Sequence, residues 1–283
     1  MLINSMKALL VFLGVTGSLH AAWQAGAAAV DITPTEPIWL AGYAARTKPS
    51  ESVRQPIHVK ALALKDDAGA VSLVVTLDLV GIRREMVDPI AARAARELGI
   101  PRERILFNVS HTHSAPLVSD AGVYAMGSYA EAQQAAIARY AKKLPELIYQ
   151  AMAKAAASLQ PATLWFEQGY AGFAVNRRRV GHREYQGPVD QDVPVLAVKA
   201  SDGRPIAILF GYACHNTIMD DYTIHGDYAG YAQHYLQQRF PGAVALFVQG
   251  AGADSNPLPR RKLEHLERYG ATLADAVEQV MQS

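Results

Sequence analysis

Short apolar runs with a period of two alternate along the chain with longer stretches of helical spacing, and this alternation predicts the class of fold. Residues 59–64 are apolar at alternate positions, and 71–77 are nearly all apolar, the pattern of a strand covered on both faces. A helical pattern follows over 84–98 and is closed by Gly99 and Pro101, which are stop signals. A strand is expected at 105–109. The stretch 129–159, rich in Ala, Gln, Lys and Leu, is expected to be helical, with Pro145 kinking or splitting it. Further strands are expected at 163–168, 193–199, 206–214 and 244–248, a polar loop at 176–191, and helices at 231–240 and 262–281. Strands and helices interleaved in this order predict a single α/β domain, layered, with a mixed and largely buried sheet and flanking helices. No long linker, low-complexity tract or sequence repeat interrupts it.

Composition changes this picture at the ends rather than in the middle. Of the 283 residues, 50% are hydrophobic, enough for a sizeable core, and 27 basic against 26 acidic side chains leave a formal net charge of +1. Such a balance gives no global drive toward a phosphate backbone or an anionic membrane, so nucleic acid is not an expected partner. The first residues read differently from the rest. Lys7 precedes the apolar run 8–15, and small residues follow at Ala21 and Ala22: a basic region, a short apolar core and a cleavage site. Residues 1–22 are therefore expected to be a signal peptide and 23–283 the mature domain, exported to a periplasm or secreted. No apolar run approaches the roughly 20 residues of a membrane span. Cys214 is the only cysteine, which excludes an internal disulfide and fits a small buried hydrophobe better than a reactive thiol.

Ligands of α/β folds gather at strand ends, and three expected strands end in chemically capable residues. The strand at 105–109 runs into Ser110-His111-Thr112-His113-Ser114-Ala115-Pro116. The strand at 206–214 runs into His215-Asn216-Thr217, and that at 244–248 into the glycine-rich turn from Gln249 through Asp254-Ser255-Asn256-Pro257. His111 and His113 are two apart, so an extended backbone would project both to one side. Neutral imidazole is the commonest metal ligand, and hydrolytic zinc sites take three protein ligands and a water. Hydrogen-bonded core histidines would account for each residue singly; their joint placement at strand ends favours a metal. Asp254 in its turn has three readings: orienting a histidine, binding metal, or capping the turn.

These segments carry a resemblance. Gly26 through Pro34, Leu40-Ala41-Gly42-Tyr43, Thr76-Leu77-Asp78, the Ser110 to Pro116 segment, Asn176-Arg177-Arg178, Tyr212-Ala213-Cys214-His215, Gly226-Asp227-Tyr228-Ala229-Gly230 and the Gln249 to Pro257 turn occur in order over nearly the whole mature chain. In them the chain resembles the N-terminal catalytic domain of the neutral/alkaline, non-lysosomal ceramidases and their bacterial relatives. The resemblance implies a hydrolase dependent on one Zn²⁺ that cleaves an amide (N-acyl) bond, with a lipid or small-molecule amide as its partner. It implies that His111 and His215 are metal ligands. His113 would lie beside the metal and contact substrate or the developing oxyanion, and Arg177, next to Asn176, would also contact substrate. Asp254 would support the chemistry, and Asn176 and Asn256 would border the substrate.

Two departures bear on that expectation. In the ceramidases the serine before the proline of the turn takes part in amide cleavage, whereas here that position is Asn256, which has no ionisable hydroxyl. Ser255 is one residue early and would point elsewhere. The family also completes its zinc site with a glutamate and a tyrosine from well beyond this turn, which have no counterpart before Ser283, so the resemblance implies an incomplete ligand set in this chain. Three functions are consistent with the sequence: an exported metal-dependent amidase, a degenerate or truncated domain that binds a ligand without turnover, and a metallohydrolase with a non-lipid substrate. Residues 118–126, with Val123, Tyr124 and Met126, are a candidate loop for lipid access. Nothing in the sequence addresses oligomeric state.

Overall fold

The computed structural model describes residues 23–119, 131–179 and 187–283. The expected signal peptide and residues 120–126 of the candidate lipid-access loop lie outside them. The first part of the chain forms β1 (Trp23–Asp31), β2 (Ser52–Val53), β3 (His58–Lys65), β4 (Val71–Leu77), α1 (Arg84–Leu98), β5 (Ile105–Val109) and α2 (Glu131–Ala157). The second forms β6 (Gln160–Tyr170), β7 (Ala174–Asn176), β8 (Asp192–Ala200), β9 (Pro205–Tyr212), β10 (Thr223–Ile224), α3 (Asp227–Arg239), β11 (Val244–Gln249), β12 (Ser255–Pro257) and α4 (Leu263–Gln282). The layered α/β architecture expected from the sequence is present.

Some elements match their sequence expectation and others differ from it, each for a physical reason. Gly99 ends α1 in the left-handed region, φ 68°, with its N–H on the Ala94 carbonyl. Pro145 does not split α2: Leu144 and Ile148 on either side are fully buried, so packing against the sheet outweighs the missing hydrogen bond. The alanine-rich β1 carries little strand propensity of its own, but its small residues permit close approach. A side chain at Gly26 would stand 2.3 Å from the Ala155 carbonyl oxygen of α2. The helix expected from Tyr231 begins at Asp227 instead, because Gly226 and Gly230 pack closely enough to disguise its first turn as loop.

One sheet of eight strands runs β11-β9-β8-β6-β1-β3-β4-β5. Its order is palindromic. β1, β3, β4, α1, β5 and α2 recur as β6, β8, β9, α3, β11 and α4, with two antiparallel pairings, then one parallel pairing across a helix, in each half. The halves meet through β1 and β6, antiparallel as a two-fold axis between them requires, over only the pairs Trp23↔Ala162, Gln24↔Pro161 and Ala25↔Gln160. Even the small pairings match: Leu40 bridges Pro116 after β5, and β7 pairs β12 after β11. A repeat absent from the sequence is thus present in the topology.

The narrow β1–β6 junction lets the sheet fold over, and the inner faces of its halves pack on each other through Ala25, Leu62, Ala162, Val198 and Leu246. Outside, α1 and α2 bury Leu73, Val75, Ile90 and Ile148 with the first half. On the other side α3 and α4 bury Phe210, Phe247, Leu236 and Leu273 with the second. The outer strands meet at the seam, where Gln249 N–H donates to Asn108 Oδ1 at 2.9 Å and Asn108 Nδ2 donates to the Gln249 carbonyl at 3.2 Å. The carboxyl ends of β5, β9 and β11 are thereby gathered at one place. No described helix is long and apolar enough to cross a membrane.

Candidate metal centre

After β5 the chain leaves the extended region, and His111 takes a left-handed backbone, φ 60°. The two histidines of this segment therefore meet through a turn, and the extended arrangement expected from their spacing is not what unites them. His111 and His113 have ring centroids 5.0 Å apart; His215, from the end of β9, lies 5.1 Å from His111 and 5.9 Å from His113. One nitrogen from each of the three rings falls within 4.8 Å of the others, the one such cluster among the described residues.

Backbone carbonyls fix the rings. His111 Nδ1 donates to the Val80 carbonyl at 2.6 Å, and His215 Nδ1 donates to that of Gly252 at 2.7 Å, with the Ser255 carbonyl at 3.2 Å. A carbonyl only accepts, so each Nδ1 carries the proton and the lone pair is on Nε2. Such a carbonyl behind the ring is the arrangement that orients metal-ligating histidines. Both His113 nitrogens are buried without a completed hydrogen bond. Burial pulls His113 down to about 3, reinforced by His111, His215 and Arg46. Burial also lowers His111 and His215. All three imidazoles are thus held neutral and basic lone pairs converge, which fits a borderline-soft divalent ion such as zinc.

The surroundings were only partly legible in the sequence. Tyr43 sits edge-on to His113, 4.9 Å between centroids. The buried Arg46 guanidinium donates to the carbonyls of Ala41 and His113, each at 2.7 Å, and to that of Asp221. Asn216 and Asp227 hold the loop after His215. Asp227 accepts from the N–H groups of Ile218, Met219 and Tyr228 while burial pushes its carboxyl up to about 7. Because its oxygens are used in this way, Asp227 is a loop anchor outside the imidazole cluster. Residues that act through backbone atoms leave no motif, which is why Arg46 carried no signal and Asn216, although it stands in the run after His215, had no role assigned to it.

The remaining sequence candidates form a second group on the Gln249 to Pro257 turn. The Arg177 N–H donates to the Asp254 carbonyl at 2.7 Å, and its exposed guanidinium is near enough to help lower His111 and His215. Asn176 donates to the Pro188 carbonyl at 3.0 Å and to Asp254 Oδ2 at 3.5 Å. Ser255 is spent on Asp254, and the buried Asn256 Oδ1 has no hydrogen-bond partner. Cys214 is fully buried, and burial pushes its thiol well above the ordinary range, as suits a packing residue. An apolar cleft of about 230 Å³, lined in part by Phe166, Leu196, Leu209, Ala213 and Gly250, reaches the strands that carry these loops.

Fold and cluster together define an α/β domain with a three-histidine centre at its strand ends. No family model matches the chain. It is 26% identical over 273 residues to neutral ceramidase B of Dictyostelium discoideum, covering 87% of this chain and 37% of that protein. With neutral ceramidase A of the same organism it is 26% identical over 265 residues, 84% and 36%. A crystal structure of neutral ceramidase from Pseudomonas aeruginosa superposes with a TM-score of 0.78 at 20% identity, over 92% of this chain and 44% of that one. A ceramidase complexed with C2 gives 0.77, also at 20% identity and with the same coverage. The chain is a relative of the neutral ceramidases. It spans little more than a third of the length of the curated relatives it matches.

Proposed function

We propose that this protein is an exported, zinc-dependent hydrolase of the neutral ceramidase kind, cleaving an amide bond in an N-acyl substrate. The observation that carries the reading is the convergence of three neutral imidazoles, two of them oriented by carbonyls. His111 and His215 would hold the ion, and His113, which the resemblance sets beside the metal, is close enough to act as a third donor. When bound, zinc supplies Lewis acidity toward the acyl carbonyl and toward water. Arg177 offers a cation near the imidazoles for the charge that develops on the acyl oxygen. Asp254, braced by Asn176, sets the position of Arg177, while the orphan Oδ1 of Asn256 offers an acceptor to a substrate N–H. With asparagine at this position no side chain there serves as nucleophile, so water is the attacking group. The apolar cleft beside the strand ends suits an acyl or alkyl chain.

Elemental analysis of the purified chain should find about one zinc per molecule, absent from His111→Ala. Hydrolysis of an N-acyl lipid, abolished by a chelator, would then establish turnover. Zinc without lipid-amide cleavage would move the substrate to a smaller polar amide. Absence of zinc would overturn the reading in favour of a binding domain. For export, the secreted or periplasmic product should begin at Ala22 or Trp23.

A further inference from the structure

The metal reading names the donors but not what keeps donors from two halves of the molecule in register. His111 and His113 follow β5 of the first half, and His215 follows β9 of the second. Asn216 joins them. Fully buried, it uses every hydrogen-bonding group of its side chain, and each leads to a different segment. Its Nδ2 donates to the Ser110 carbonyl at 2.6 Å and to Gln249 Oε1 at 3.2 Å. Its Oδ1 accepts from the Ala229 N–H at 3.1 Å, and its carbonyl accepts from the His113 N–H at 3.1 Å. The residue before His111, the end of β11 and the first turn of α3 are therefore referred to one carboxamide adjacent to His215, and His113 to the main-chain carbonyl of the same residue.

We propose that Asn216 is a positioning residue that fixes the separation between the His111–His113 segment and His215. The inference rests on the metal reading above. A buried amide serving only stability is satisfied by whatever is nearest; this one bonds to the segments that carry the donors. Removing it leaves the histidines and their supporting carbonyls in place but frees the two segments to drift, which lowers metal affinity without removing a ligand.

The test compares the zinc dissociation constant, from competition with a chromophoric chelator, and the Co²⁺ absorption spectrum in four proteins. Asn216→Asp keeps the size and the Ala229 bond but turns a donor into an acceptor facing Ser110 and Gln249. Gln249→Met removes one of the two Nδ2 partners and is the milder change, readable if the first variant does not fold. Tyr140→Phe, which loses a buried bond to the Ile32 carbonyl remote from the cluster, controls for lost stability. Asn216→Asp should weaken zinc binding about 10- to 100-fold, and Gln249→Met less, with altered Co²⁺ bands in both, while Tyr140→Phe stays within about 2-fold of the wild type. Wild-type affinity and spectrum in a folded Asn216→Asp, or in Gln249→Met if it alone folds, would overturn the positioning role. Failure of the wild-type protein itself to bind zinc would instead overturn the metal reading on which it rests.

Discussion

Gly42→Ala probes the tightest contact at the cluster. Gly42 has φ 94°, and a β-carbon there would stand 2.4 Å from Cγ of His113, 2.5 Å from Nδ1 and 2.8 Å from its Cβ. These are the root of the ring, so rotating the side chain does not clear them. A left-handed backbone costs an L-residue about 1–2 kcal/mol, and an extra carbon in filled space costs about 1–3 kcal/mol. The sum centres on about 3.5 kcal/mol, which for a domain of this size lowers Tm by about 7–14 °C. Gly99 separates the two costs. Its φ is 68°, but nothing lies within 4 Å of an added β-carbon. Gly99→Ala should therefore show the backbone cost alone, a fall of about 3–6 °C. Calorimetric melts of both variants, with chelator present to remove any metal contribution, give the comparison. Equal shifts would refute the claim that His113 is packed over Gly42.

Other consequences are open to measurement. Lys60 is buried, donating to the Ala245 carbonyl and Gln237 Oε1, and burial pulls it down from 10.5 to about 8. The unfolded chain thus binds more protons between these values. The stability that Lys60 contributes is full above 10.5 and is lost as pH falls through about 8, by about 3 kcal/mol at most; urea titrations of Lys60→Met should lack that component of the rise. Saturating zinc at about 100 times its Kd should add about 2.7 kcal/mol to the wild type, raising Tm by about 5–11 °C, and His111→Ala should lose the shift. Cys214 should be inert to a thiol reagent in the native protein and titrate fully on denaturation; rapid native labelling would contradict its burial.

What the sequence made legible were features whose physics is local. The α1 helix carries its periodicity and its Gly99 stop within one segment, and β4 and β11 are apolar runs bounded by turns. The three histidines were legible as strand-end residues because ligands collect there. Features that depend on distant partners were not. β1 is a strand because β3 pairs with it along its length and α2 packs on Gly26, not because alanine favours strands. The meeting of His111 with His113 depends on a left-handed residue that their spacing does not encode. Arg46, Asn216 and Asp227 engage chiefly backbone atoms of other segments, and backbone atoms are the same whatever the residue, so no motif marks those contacts.

The palindromic order of the sheet bears on how the centre comes to exist at all. Each half is continuous in sequence and closes its own helix layer, while the halves share two short strand pairings, β1 with β6 and β2 with β10, and an inner apolar face. Neither half owns the site: two imidazoles belong to one and the third to the other. Each oriented ring also borrows its carbonyl from a neighbouring strand end, Val80 beyond β4 and Gly252 beyond β11. Docking of the halves is therefore the event that creates the coordination sphere. An ion chelated across them would act as a clasp, so that loss of metal and loosening of the interface become the same transition seen from two sides.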